Sequence, residues 1–269
     1  MIEREHIAVE DAVKNWQRCR QEDLPRAFYA YDDEECQSER VVTYRIGRED
    51  MEDLISNVVT NEEGMPTKDF HFKIHLGLRK DLLTDEIPEY PAFTLFMQAL
   101  NHYPAKGQQL CADDYAGSVE LIWEKNSRFS ETMGEGTESD KNALSAAGAY
   151  LFIHSWMELP EEVLAEPFTA VSKVLGKRVR SYRFAEAESA SIYQDILNSL
   201  KSDAPMLDVH MGNGMAVWQH PFSFRPVIEV KDVLKNAESP RMAGINSTAN
   251  SEGDTFYDFG GPEPPPKEL

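Results

Sequence analysis

The chain is short of basic residues, of cysteine and of long apolar runs, and each shortage removes a class of function. Its 269 residues carry 27 Lys and Arg against 47 Asp and Glu, a formal charge of −20. Phosphate backbones are held by clustered Lys and Arg, so nucleic acid is excluded as the expected ligand. An anionic membrane surface is excluded for the same reason. Three cysteines, Cys19, Cys36 and Cys111, are odd in number and widely spaced, and no CxxC pair occurs. This usage fits a reducing, cytoplasmic compartment and not a disulfide framework. The opening Met-Ile-Glu-Arg-Glu-His has neither a basic nor an apolar leader region, so no signal peptide is expected. The longest apolar run, 143–157, is broken by Ser145, Gly148, His154 and Ser155 and is too short to span a bilayer.

Common catalytic signatures are missing too. There is no GxxxxGK[ST] loop, no GxSxG, no HExxH and no EF-hand loop. The two GxG triplets, at 134–136 and 212–214, lack the third glycine of a dinucleotide-binding turn and read as turns. No cofactor is expected.

What is present is an ordinary globular composition, 41% hydrophobic and 10% aromatic, long enough for a substantial core. Periodicity predicts an opening helix on Val9, Ala12, Val13 and Trp16, a strand at 41–46, a helix at 49–59 and a strand at 70–78. A helix is expected at 91–103, where Pro91 begins and Pro104 follows a stripe of Phe93, Phe96, Met97, Leu100 and Tyr103. A strand follows at 119–124. Residues 149–157, apolar on both faces, predict a buried strand. Helices at 160–175 and 186–200, strands at 177–184, 206–211 and 222–230, and a hairpin about Gly212-Asn213-Gly214 complete the reading. The expected fold is α+β, with mixed or antiparallel sheets and helices packed on one face. The order β-α-β-α-β occurs twice, which points to two related lobes, 1–126 and 142–238, joined by a polar, glycine-containing loop at 127–141. The segments 73–77 and 208–212 echo each other but fall on non-equivalent strands. The Pro-, Gly- and Ser-rich stretch 239–269 reads as a disordered tail outside the fold. Within it, Phe256, Tyr257 and Phe259 could fold on a partner or back onto the body.

Three clusters are candidates for function. Residues 1–63 hold 17 acidic and 8 basic side chains, and the run Asp32, Asp33, Glu34 and Glu35 reads as an exposed acidic surface. Lys173, Lys177, Arg178, Arg180 and Arg183 form a basic island without an acid among them, and Arg178, Arg180 and Arg183 are the anion-binding candidates. Asp208 and His210, two apart on a strand, share one face at about 7 Å, which suits a metal or an acid–base pair. His71 and His75 stand about 13 Å apart on one strand face, too far to share a metal. Cys19 lies between Arg18 and Arg20, a setting that favours a thiolate. The preferred reading is a non-enzymatic acidic interaction protein, of the inhibitor, immunity or adaptor type, that binds a basic protein partner. The alternative is a metal-dependent hydrolase using Asp208 and His210.

Overall fold

A computed structural model describes residues 8–32, 37–84, 86–102, 114–125, 144–168, 178–214, 223–234, 252–257 and 262–263. The chain forms five helices, α1 (Val9–Arg18), α2 (Leu24–Ala27), α3 (Arg48–Ile55), α4 (Ala146–Met157) and α5 (Glu186–Ser199), among the described residues. Its strands are β1 (Tyr29–Asp32), β2 (Gln37–Arg40), β3 (Thr43–Ile46), β4 (His71–Leu78), β5 (Phe93–Leu100), β6 (Tyr115–Glu120), β7 (Ile122–Trp123), β8 (Ser181–Arg183), β9 (Leu207–His210), β10 (Asn213–Gly214), β11 (Ser223–Phe224), β12 (Val227–Leu234), β13 (Glu252–Tyr257) and β14 (Pro262–Glu263). The fold is α+β. No described helix is long and apolar enough to cross a membrane.

Two five-stranded antiparallel sheets dominate, ordered β13-β12-β9-β3-β7 and β14-β8-β4-β5-β6. Each sheet draws strands from both sides of residues 127–141. β3 pairs with β9, and β4 pairs with β8. Strands from 1–126 and from 142–238 therefore pair directly, and local periodicity does not reveal pairing at such sequence separations. The sheets are laced together at both edges. On one side β6 belongs to the second sheet and β7 to the first, with the buried Leu121 between them donating its N–H to the Leu95 carbonyl at 2.9 Å. On the other side β13 and β14, four residues apart, do the same.

The C-terminal segment is thus corrected in part. Residues 252–257 and 262–263 are strands, and Phe256 and Tyr257 are buried. The rest of 239–269 lies outside the described residues. Consecutive residues of a strand point to opposite faces, and here both faces are covered. Phe256 packs with Val227 and with Ala149 of α4, while Tyr257 donates to Asp195 of α5 at 2.6 Å. Helices cover both faces at this end of the first sheet, where one covered face was expected.

Two elements exchange type. Residues 93–100, within the expected helix 91–103, are the interior strand β5, buried along its whole length between β4 and β6. Residues 149–157, expected as strand, belong to α4, whose N-cap Ser145 side chain accepts from the Gly148 N–H. A run apolar on every side carries no period, so it fits either element. Residues 160–168 hold two short 3-10 turns, Glu161–Val163 and Glu166–Phe168, in place of a continuous helix. The pair β10–β11 puts Asn213 and Gly214 in a strand, and residues 215–222 lie outside the described residues.

The core is one large cluster centred on aromatic rings. Phe28, Phe93, Trp16, Trp156, Phe168 and Phe224 meet edge to face or stacked, at centroid distances from 4.7 to 6.3 Å. The α1 pattern is legible here, since Ala12, Val13 and Trp16 are its buried face. On β6, Gly117 is set against the Leu54 and Asp53 carbonyls of α3, where a Cβ would strike backbone. Only glycine permits that approach.

Candidate functional site

The acidic run begins with Asp32, the last residue of β1. β1 and β2 pair from Tyr29↔Arg40 to Asp32↔Gln37, and residues 33–36, which join them, lie outside the described residues. A two-stranded hairpin alone is marginal in water, and this one is fastened to the body at its root. The Arg40 guanidinium donates to the Trp156, Met157 and Leu159 carbonyls at 3.0, 2.9 and 2.7 Å and to the Tyr29 hydroxyl at 2.9 Å. It thereby satisfies the open carbonyls at the C-terminus of α4. Tyr31 adds a backbone bond to the Pro88 carbonyl at 2.8 Å.

The basic island is not one cluster. Lys173 and Lys177 lie outside the described residues. Arg178 serves the end of α1. Its guanidinium donates to the Trp16 carbonyl and, at 2.9 Å, to the Cys19 carbonyl, and it lies 5.0 Å from the Trp16 ring centroid. Burial pulls the Arg178 guanidinium below its ordinary value. Arg180 and Arg183 sit farther along the same segment, Arg183 opposite Lys73 of β4. Removing the Arg178 side chain should cost about 1–3 kcal/mol of folding stability, since it leaves partly buried carbonyls without a donor. Urea unfolding of Arg178→Ala beside Arg180→Ala checks this, and an effect confined to Arg178 is the expected result. Burial raises the Cys19 thiol, against the opposing Arg178 charge, so the environment does not supply the thiolate expected from its arginine neighbours.

His71 and His75 both lie on β4 and serve separate contacts. His71 Nδ1 is 3.0 Å from the Phe184 carbonyl, and His75 Nε2 is 2.7 Å from Gln98 Oε1.

Asp208 and His210 fall on β9 between β3 and β12, on the face opposite the apolar Leu207 and Val209. Antiparallel register aligns Arg45 with Asp208 and Asp208 with Glu229 across three strands. Asp208, His210 and Glu229 are 1%, 3% and 5% exposed, and their donor atoms lie within 4.8 Å of one another. The third donor that the sequence did not name is therefore Glu229. Two cations already stand among these carboxylates. Arg45 grips Asp208 bidentately at 2.7 and 2.9 Å and reaches Glu124 at 2.8 Å. The Lys231 ammonium is 3.0 Å from Asp208 and 3.4 Å from Glu229. Glu229 accepts from His210 Nε2 at 2.8 Å, and Thr43 Oγ1 is 3.0 Å from His210 Nδ1. Burial alone would push the Asp208 carboxyl up, but the Arg45 hydrogen bonds and the neighbouring positive charges outweigh it and hold it below the ordinary carboxylate range. For Lys231, burial opposes the charged form while Asp208 and Glu229 favour it, and the net shift is upward. Arg45 and Lys231 thus offset the charges of Asp208 and Glu229, and Lys231 already engages two of the three groups that could hold a metal.

No family model, no curated protein and no solved structure matches the chain. The reading of its function rests on these contacts alone. An open depression of 460 Å³ bounded by Arg20, Asp23, Arg26, Leu83 and Thr84 shares no residue with the Asp208 row, and its Arg20 is paired with Asp23 at 2.8 Å and Glu22 at 2.9 Å.

Proposed function

We propose that this is a non-catalytic interaction protein that presents an acidic surface to a basic protein partner in a reducing cytoplasm, in the manner of an inhibitor, immunity protein or adaptor. The observation that carries the reading is that strands β1 and β2, between which the acidic run Asp32, Asp33, Glu34 and Glu35 falls in sequence, are tied to α4 and to Pro88. An acidic segment steers association with a basic partner. The commitment of Arg178 and of the Asp208 row to internal pairs agrees with this reading.

A metal-dependent hydrolase built on Asp208 and His210 is the second reading, favoured by Glu229 as a third donor. Lys231 and Arg45 stand against it, because a metal would compete with a half-buried ammonium already held by two carboxylates.

Native mass spectrometry of protein isolated gently from its own host separates the two. The expected result is a co-purifying protein that is lost on raising salt, and lost at low salt when Asp33, Glu34 and Glu35 are all changed to Lys. Association should slow by about 10- to 1,000-fold in that variant. A stoichiometric metal that disappears with His210→Ala would establish the hydrolase instead.

A further inference from the structure

Residues 142–157 contain no Asp, Glu, Lys or Arg. A helix that is apolar all round is ordinarily buried all round. α4 is not. Its inner side is core, with Ala149, Ile153 and Trp156 fully buried and the Trp156 indole N–H donating to the Val41 carbonyl at 2.8 Å. Its outer side is open. Leu151 is 66% exposed and Met157 44% exposed, with His154 exposed between them and the Tyr150 ring 5.5 Å from the His154 ring. These positions recur at three and four residues and form one stripe along the helix. Scattered surface leucines need no explanation. A helix surface without a single charge over three turns does.

The surroundings specify what would cover it. At the C-terminal end of the stripe stand exposed Glu158, Glu161 and Glu162. Arg40 binds the Met157 carbonyl and so fixes the hairpin beside this end. Tyr31, 37% exposed, lies on the same hairpin face as Arg40, two register pairs from it. Apolar anchors thus meet carboxylates at this end of the stripe. A second copy of the chain would set one acidic rim against another in a molecule of charge −20, which like-charge repulsion disfavours. A basic amphipathic helix satisfies both features, its apolar stripe on Leu151 and Met157 and its Lys and Arg against the rim.

We propose that the outer face of α4, with Tyr31, is the docking surface for a basic amphipathic helix of a partner protein. The inference rests on the basic-partner reading above and adds the apolar anchors and the form of the partner segment. α4 spans about 18 Å, so the partner helix needs about three turns.

The test uses the full chain and two synthetic 18-residue peptides of Leu and Lys. One gathers the leucines on a single helical face, and the other has the same composition scrambled around the helix. Binding is followed by fluorescence anisotropy for the wild type, for Leu151→Ser with Met157→Ser, and for the variant with Lys at 33, 34 and 35. The amphipathic peptide should bind the wild type at least about tenfold tighter than the scrambled one, a difference of about 1.4 kcal/mol. The double serine variant should lose that margin while keeping the wild-type melting temperature. If it melts early, Leu151→Gln alone carries the same comparison. Equal binding of the two peptides, or a margin that survives in the serine variant, overturns the proposal. Should hairpin reversal abolish binding while the serine variant retains the margin, docking on α4 falls and the acidic-surface reading stands. If neither variant changes binding, both fall. A sedimenting dimer that the serine variant dissolves assigns the face to a second copy and also overturns the proposal.

Discussion

A chain ended at residue 250 should unfold at temperatures where the full-length protein is native. The lost segment holds β13 and β14, which complete the β12 edge of one sheet and the β8 edge of the other. Deleting it exposes two sheet edges and opens two apolar sites at once. Tyr257 is 1% exposed in the main core, and Phe256 closes the smaller cluster with Ala149 and Val227. The Phe256 carbonyl also accepts from the Leu144 N–H at 2.7 Å just before α4 begins. Tyr257→Ala alone should cost about 3–5 kcal/mol, as large-to-small changes of buried aromatics do. For a chain of this size that lowers the melting temperature by about 10 °C. Tyr257→Phe keeps the ring and loses only the bond to Asp195, so it should cost about 1 kcal/mol. Guanidinium unfolding of the three variants gives the order truncation, Tyr257→Ala, Tyr257→Phe. A truncated chain with an unchanged midpoint would show that the segment merely decorates the sheets.

That segment also shows what the sequence could and could not say. Pro, Gly and Ser around it mark a polar stretch, but three aromatics in seven residues are the mark of burial, and only the partner strands decide between the two. Elements with a clean period were legible. Ala12, Val13 and Trp16 predicted α1, the alternation of Phe72, Ile74 and Leu76 predicted β4, and Ile192 and Ile196 predicted the buried face of α5. Where burial is on every side the period vanishes. Residues 93–100 and 146–157 are the two most apolar segments, and each was taken for the other type. The site followed the same division. The i, i+2 spacing of Asp208 and His210 correctly placed them on one strand face. Their partners Arg45, Glu124, Thr43 and Glu229 come from β3, from the residue after β7 and from β12, joined only by register. One local signal was available: Glu229 and Lys231, opposite in charge and two apart, interrupt the apolar strand Val227–Leu234 on one face. Opposite charges alternating within a buried strand demand partners on the neighbouring strands.

Those partners make Asp208 the most consequential polar side chain among the described residues. Asp208→Ala should destabilise the fold by about 3–5 kcal/mol, because it leaves the Arg45 fork and the Lys231 ammonium without their shared carboxylate. Asp208→Asn keeps the shape and one acceptor and should fall between wild type and Ala. The acid side of the stability profile separates charge from packing. The Asp208 carboxyl titrates below its ordinary value of about 3.9 in the folded chain. Its contribution is therefore present above that value and is lost as pH falls through the lower, folded-state value. Stability measured by urea unfolding should decline more steeply below about pH 4 in the wild type than in Asp208→Asn. Lys231 acts in the opposite sense. Its folded-state value lies above the ordinary one, so its contribution is complete below about pH 10.4 and is lost as pH rises further. Lys231→Met should flatten the alkaline limb and leave the acid limb sloping. Parallel acid limbs in wild type and Asp208→Asn would mean that the row holds β3, β9 and β12 together by shape, with its charges idle. A loss of slope in Asp208→Asn would show that ion pairing across β3, β9 and β12 contributes to stability alongside the backbone ladders and aromatic core that join the two halves of the chain.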